Sequence, residues 1–77
     1  MSMQLSQCSQ GQTVRVERVG GHGAIKMRLV EMGITRGTTV RIVKYAPLMD
    51  PLEIEIGSTH ISLRVQEAQL VETTVIA

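Results

Sequence analysis

The sequence predicts one mainly β domain over residues 1–77, with about five antiparallel strands, one α-helix and a short helical turn. Three observations indicate this fold class. Glycine and proline divide the chain into short segments, as in small β-barrels. Most of these segments alternate apolar and polar residues, which is the period of a strand with one buried face. One segment instead repeats its apolar residues at helical spacing.

The first predicted strand covers residues 13–19. Val14 and Val16 point to one face, and charged residues alternate with them on the other face. A Gly-Gly-His-Gly sequence follows at residues 20–23. It fits no phosphate-binding motif, so we interpret it as a strand-to-helix turn that needs positive φ angles.

The predicted helix covers residues 24–32. Ile25, Leu29 and Met32 are spaced to form one apolar stripe. Gly33 follows directly and suits the left-handed conformation that commonly ends a helix.

A second strand is predicted over residues 38–46, because Val40 and Ile42 share one face. The sequence Pro-Leu-Met-Asp-Pro then occupies residues 47–51. The two prolines end the strand and stiffen the loop.

A hairpin is predicted from residues 52–56 and residues 59–65, joined by a two-residue Gly57-Ser58 turn of type II′. The register is set by this turn, because a slip of one residue would move the apolar residues to the opposite face. The predicted pairs are Leu52 with Leu63, Ile54 with Ile61, Glu55 with His60, and Ile56 with Thr59.

A helical turn over residues 66–69 and a last strand over residues 70–76 complete the domain. The last strand is expected to pair with an early strand and close the sheet, since closure hides the edge strands. The predicted architecture is therefore an SH3-like barrel with an aliphatic core. The core residues that we expect are Ile25, Leu29, Val40, Ile42, Ile54, Ile61 and Leu63.

Composition excludes several functional classes. Eight Lys and Arg residues against seven Asp and Glu residues do not make the basic face that nucleic acids or anionic membranes attract. Tyr45 is the only aromatic residue, which is too few to stack bases or grip proline-rich peptides. The chain shows no secretory signal and no long apolar span. We therefore expect a cytoplasmic location without direct membrane insertion.

Metal binding and catalysis are not predicted. Cys8, His22 and His60 lack the spacing of metal-ligand motifs. We expect Cys8 in the core, His22 exposed in a loop, and His60 paired with Glu55 across the hairpin. No nucleophile has a base in reach, so the prediction is no enzyme, no catalytic residue and no cofactor. A small transition-metal sensor or carrier using Cys8 or the histidines is the alternative.

The loop at residues 47–51 is the most informative feature for binding. Leu48 and Met49 are held on a stiff connection next to Pro47 rather than within a strand. Leu48 can fold back and plug one end of the barrel, or both side chains can contact a partner at low entropic cost. The sequence leaves these two alternatives open.

Arg28 and Arg64 are the other predicted partner-binding residues, because a guanidinium offers forked donors to a carboxylate. The alternative is that they form ion pairs within the chain, with Glu31, Glu53 or Glu67. This alternative is at least as well supported by the sequence.

Three segments carry a resemblance to a known family: RLVEMGITRGTTV, YAPLMDPLEIEIG and ISLRVQEAQLV. Their ordered motifs are similar to those of the FeoA family over about residues 5–75. Two departures are Cys8, where the family usually has leucine, and Met49, where it often has glycine. The matching positions are Arg28, Leu29, Met32, Gly33, Gly37, Pro47, Asp50, Pro51, Gly57, Ser62, Leu63, Arg64, Glu67 and Ala68.

The resemblance implies an accessory protein of bacterial ferrous-iron uptake. It implies docking on, and regulation of, the cytoplasmic part of an FeoB-type membrane permease, which contains a G-protein domain. It also implies the SH3-like fold. Weak homo-oligomer formation is left open.

Overall fold

A computed structural model describes residues 2–77 of the chain. Within this range the chain forms six strands, one 3₁₀ turn and two helices. The strands are β1 Met3–Gln4, β2 Thr13–Val19, β3 Thr39–Tyr45, β4 Leu52–Ile56, β5 Thr59–Leu63 and β6 Val71–Val75; the helical segments are the 3₁₀ turn Leu5–Gln7, α1 Gly23–Glu31 and α2 Val65–Ala68.

All strand pairs are antiparallel, and the strands lie in one sheet in the order β1-β6-β2-β3-β4-β5. The predicted mainly β fold is therefore confirmed, as is the pairing of the last strand with an early one, since β6 pairs with β2. The strand β1 and the 3₁₀ turn were not predicted. Register shifts after Val16 and after Ile42 mark bulges, which bend and twist the sheet.

The expectation that strand pairing closes the sheet is wrong. Among the strands that the structure describes, β1 pairs only with β6, and β5 pairs only with β4. The chain turns helical immediately after each of these strands. The 3₁₀ turn and α2 contact each other instead, so the barrel-like fold is completed by helical turns rather than by a strand ladder.

The hairpin has the predicted register at every pair of β4 and β5. Gly57 has a φ of +61°, and Ser58 is not among the residues with positive φ, as a type II′ turn requires. The prediction succeeded because a two-residue turn and alternating apolar residues specify the same register independently.

The core is aliphatic. Most of the predicted core residues are fully buried, but Ile25 and Ile61 are only half-buried. Cys8 is buried with a 3% exposed surface, as expected, and its thiol lies 3.5 Å from the Thr73 hydroxyl. The fully buried aliphatic residues are Leu5, Val14, Val16, Leu29, Ile34, Val40, Ile42, Leu52, Ile54, Leu63, Ala68 and Val71.

Tyr45 connects β3 to the N-terminal segment. The single proton of its hydroxyl is shared between the carbonyl oxygens of Ser6, at 3.2 Å, and of Cys8. Partial burial raises the pKa of the Tyr45 hydroxyl above its ordinary value of 10.0, and the nearby Cys8 thiol raises it further.

The glycine turn between β2 and α1 has the predicted conformation. Gly21 has a φ of +78° and Gly23 a φ of +66°, which L-residues with side chains rarely adopt. At Gly20 a Cβ atom would lie 3.1 Å from the Leu70 carbonyl oxygen. The glycines are therefore explained by backbone geometry.

Candidate docking surface

The loop at residues 47–51, which we call the proline loop, has a closed neck. The Ala46 N–H donates to the Pro51 carbonyl at 3.0 Å, and the Met49 N–H donates to the Ala46 carbonyl at 2.7 Å. The Asp50–Pro51 peptide bond is cis. At the tip, Leu48 is 90% exposed and Met49 is 60% exposed. Leu48 therefore does not plug the barrel, and that alternative is wrong.

Met49 has a φ of +69°, and it is the only residue other than glycine with positive φ between residues 2 and 77. This conformation costs a residue with a side chain ~1–2 kcal/mol. The family that the sequence resembles often has glycine at this position, and glycine would avoid this conformational energy cost. The present chain instead carries an exposed thioether in a strained position.

The proline loop is attached to the start of α2 through Asp50. The Asp50 Oδ1 atom accepts a hydrogen bond from the Val65 N–H at 3.2 Å and lies 3.8 Å from the Arg64 Nη1 atom. The loop is thus held at its neck and again through Asp50, which follows the Leu48-Met49 tip. It presents its apolar tip with little freedom to rearrange.

Glu67 links α2 to both predicted arginines. Its carboxylate is 5% exposed; Oε1 accepts the Arg64 N–H at 2.9 Å, and Oε2 lies 3.3 Å from the Arg28 Nε atom. The alternative of pairing within the chain is therefore confirmed for Arg28. Arg64 pairs with Asp50 rather than with any of the three glutamates considered.

Both arginine side chains nevertheless remain accessible. Arg28 is 59% exposed and Arg64 is 63% exposed. Contacts run from the proline loop through Asp50 to α2, and from α2 through Glu67 to α1. These side-chain contacts therefore join the three segments that hold the five residues predicted for partner binding: Arg28 on α1, Pro47, Leu48 and Met49 in the proline loop, and Arg64 before α2.

A second apolar feature lies on α1 and was missed by sequence reasoning. Met27 is 65% exposed and Val30 is 45% exposed. They line an open groove of about 390 Å³, which we call the α1 groove, together with Lys26 and the preceding glycine turn. The sequence does contain a signal for this groove: Met27 and Val30 are apolar residues three positions apart, outside the stripe that contains Leu29.

The solvent face of β3, β4 and β5 carries a chain of ion pairs and hydrogen bonds. His60 contacts Glu55 at 2.9 Å and Glu53 at 3.3 Å, and Arg41 contacts Glu55 at 2.9 Å. Arg41 holds the pKa of Glu55 below its ordinary value, with a smaller contribution from His60. The predicted pairing of His60 with Glu55 is confirmed.

His, Cys, Asp and Glu side chains are the usual protein ligands of metal ions. Between residues 2 and 77, no group of three or more of these side chains is arranged to hold a metal ion. His22 is exposed, as predicted. No helix in this range is long and apolar enough to span a bilayer.

A curated bacterial protein is similar to this chain in sequence. The chain is 36% identical over 75 residues to the Fe(2+) transport protein A/Fe(2+) transporter FeoB fusion protein of Porphyromonas gingivalis. The alignment covers 97% of this chain and 9% of that protein, so the chain spans only a small part of the curated relative that it matches.

Two solved structures have the same fold. Iron(II) transport protein A from Clostridium thermocellum is 39% identical with a TM-score of 0.92, over 96% of this chain and 46% of that chain. FeoA of Stenotrophomonas maltophilia, which is described as an SH3 domain protein and was crystallised with zinc, is 35% identical with a TM-score of 0.79, over 96% and 89%. The FeoA domain model matches residues 3–75. This chain therefore belongs to the FeoA family.

Proposed function

We propose that this chain is a non-enzymatic accessory protein of ferrous-iron uptake. In this proposal it docks on the cytoplasmic, G-protein-containing part of an FeoB-type permease and regulates transport. The observation that carries the proposal is the apolar tip of the proline loop, Leu48 and Met49, which is exposed on a loop held at two places.

The fusion protein of Porphyromonas gingivalis supports the choice of partner. In that relative, an FeoA segment and an FeoB transporter belong to one polypeptide. Covalent linkage keeps two modules at high effective concentration, which favours an intramolecular contact between them. A separate FeoA chain would need a surface with enough affinity to make the same contact without the linkage.

The proline loop has the properties of such a surface. Burying a leucine side chain that is otherwise exposed stabilises a complex by ~1.5–3 kcal/mol, and Leu48 is 90% exposed before binding. Since the neck and the Asp50 contact already order the loop, little conformational entropy remains to be lost on association. Leu48 and Met49 are therefore expected to form the apolar centre of the contact.

Arg28 and Arg64 suit the periphery of the same contact. Each is paired within the chain but more than half exposed, so an acidic partner surface can share its donors. Charges at the edge of an interface mainly affect the association rate and its salt dependence. We therefore expect Arg28→Gln and Arg64→Gln to slow association at low salt more than they accelerate dissociation.

The test is calorimetric titration of the chain into the soluble G-protein domain of the permease, in GDP-bound and GTP-analogue-bound states. Leu48→Ser should weaken binding by about tenfold or more, which corresponds to ~1.4 kcal/mol. Ile76→Ser is the matched control, because Ile76 is a half-exposed aliphatic residue outside the proposed surface. It should bind like the unaltered chain.

Two results would contradict the proposal. The first is no binding in either nucleotide state together with unchanged iron uptake in cells that lack the chain. The second is binding that survives Leu48→Ser but is lost in Met27→Ser, which would move the docking surface to the α1 groove.

A further inference from the structure

The outer edge of β5 lacks the sequence features and the bulges that commonly protect edge strands. Among the described strands, β5 pairs only with β4, along its full length of five residues and without a bulge. Its sequence, Thr-His-Ile-Ser-Leu, has no lysine, no acidic residue and no proline. Exposed edges are commonly blunted by such residues, by bulges or by shortness. The opposite edge, β1, is only two residues long.

The register shows which backbone groups face outward. The Ala46 N–H bonds to the Pro51 carbonyl, so residue 51 and the odd-numbered residues of β4 face β3. The even-numbered residues of β4 therefore bond to β5, which places Ile61 opposite Ile54 in a hydrogen-bonded pair. The N–H and C=O groups of His60 and Ser62 consequently point away from the sheet.

We propose that a second copy of this chain pairs with β5 through β5, antiparallel, about a two-fold axis at Ile61. In this register His60 lies opposite Ser62 of the second copy, and Ser62 lies opposite its His60. Each of these pairs exchanges two backbone hydrogen bonds. The two sheets join into one continuous sheet, and the two chains form a closed, isologous dimer.

The side chains of β5 favour pairing of this edge with β5 of a second copy of the chain. Ile61 is apolar and half-buried, and the axis brings it against Ile61 of the second copy on the same face. No charged residue of β5 meets a like charge, because the strand contains none apart from His60 when protonated. An acidic partner strand would instead lie two strand spacings from Glu53 and Glu55 of β4, and these two carboxylates would repel it.

The contact is small, with about three residues from each copy. It therefore belongs to the weak, transient class of interfaces, below ~1,200 Å². Its contact residues 60–62 differ from the five residues of the proposed docking surface, of which Arg64 follows β5 directly.

The test is a dilution series of the 77-residue chain, followed by ¹H–¹⁵N spectra and by sedimentation equilibrium. Fast-exchange shifts that grow with concentration are expected at residues 60–62, with a dissociation constant on the order of 1 mM or tighter. Ser62→Pro removes an outward N–H without touching the bonds to β4, so it should abolish these shifts. Ser62→Ala keeps the N–H and should retain them.

The proposal is overturned by a chain that stays monomeric at the highest concentration, or by self-association that Ser62→Pro leaves unchanged. It is also overturned if the β5 amides change only when the permease domain is added, which would identify a partner strand as the occupant. Should Ser62→Pro fail to fold, Ile61→Lys is the second test. It places two like charges next to each other on the two-fold axis, so it should abolish the concentration-dependent shifts, and shifts that persist would overturn the proposal.

Discussion

Removing the Glu67 carboxylate tests the link between α2 and α1. Glu67 is the N3 residue of α2, and its Oε1 atom accepts the Arg64 N–H, as the N3 residue of a capping box does. Loss of a cap costs ~1 kcal/mol. A fully buried N–H left without a partner costs ~1–3 kcal/mol, and the Arg64 N–H is part-buried. These two costs overlap, because they concern the same hydrogen bond. We therefore expect Glu67→Ala to lower the free energy of unfolding by ~1–3 kcal/mol.

Glu67→Gln separates the hydrogen bond from the charge. The amide oxygen can still accept the Arg64 N–H, so only the ion pair with Arg28 is lost. Because Arg28 is 59% exposed, solvent screens that pair and limits its contribution to ~0.2–1 kcal/mol. The expected order of stability is the unaltered chain, then Glu67→Gln, then Glu67→Ala.

Urea unfolding at pH 7, followed by far-ultraviolet circular dichroism, measures these differences directly. In thermal unfolding, Glu67→Ala should lower Tm by roughly 4–24 °C, given ~4–8 °C per kcal/mol in a domain of this size. Glu31→Ala is the control, because Glu31 is exposed on α1, and it should change stability by less than ~0.5 kcal/mol. The reasoning is refuted if Glu67→Ala behaves like this control, or if Glu67→Gln is as damaging as Glu67→Ala.

Three further predictions concern the core and the dependence of stability on pH. Leu29→Ala should destabilise the chain by ~2–5 kcal/mol, and Ile61→Ala by clearly less, because Ile61 is only half-buried; equal losses in urea unfolding would contradict the burial assignment. Tyr45 keeps its proton in the folded state above pH 10.0, so stability should fall as pH rises beyond that value. Tyr45→Phe should remove this decline. In the unaltered chain, absorbance at 295 nm should show a single phenol with a raised pKa. The lowered pKa of Glu55 contributes stability above pH 4.5 that is lost as pH falls through the folded value, so Glu55→Gln should flatten this acid-side loss in pH-dependent unfolding.

Local patterns were sufficient for the elements whose residues interact with near neighbours in sequence. The β4–β5 hairpin was predicted pair by pair, because a two-residue turn and alternating apolar residues both act over a few positions. The helix end at Gly33 was predicted for the same reason, since φ there is a local property. The short strand β1 was not predicted, because two residues form a strand only where β6 is present to pair with them.

The candidate site likewise has one part that the local sequence predicted and another part that only the tertiary structure showed. The proline loop was recognisable from its own composition, with Leu48 and Met49 between two prolines. Whether Leu48 plugs the barrel or faces solvent depends on the room left by distant core residues, and the sequence left both alternatives open. The exposure of Met27 and Val30 was hidden for a related reason, because the outward face of a short helix is defined only by what packs against the other face.

The amino-acid sequence alone determined that this chain is a small, mainly β domain with an aliphatic core, an FeoA-like order of motifs and an apolar loop. These features follow from residue type, spacing and turn chemistry, which act locally. The tertiary structure alone decided that the sheet stays open at β5, that Glu67 joins α1 to α2, and that Leu48 faces solvent. Each of these depends on contacts between segments far apart in the chain, whose geometry no local pattern specifies.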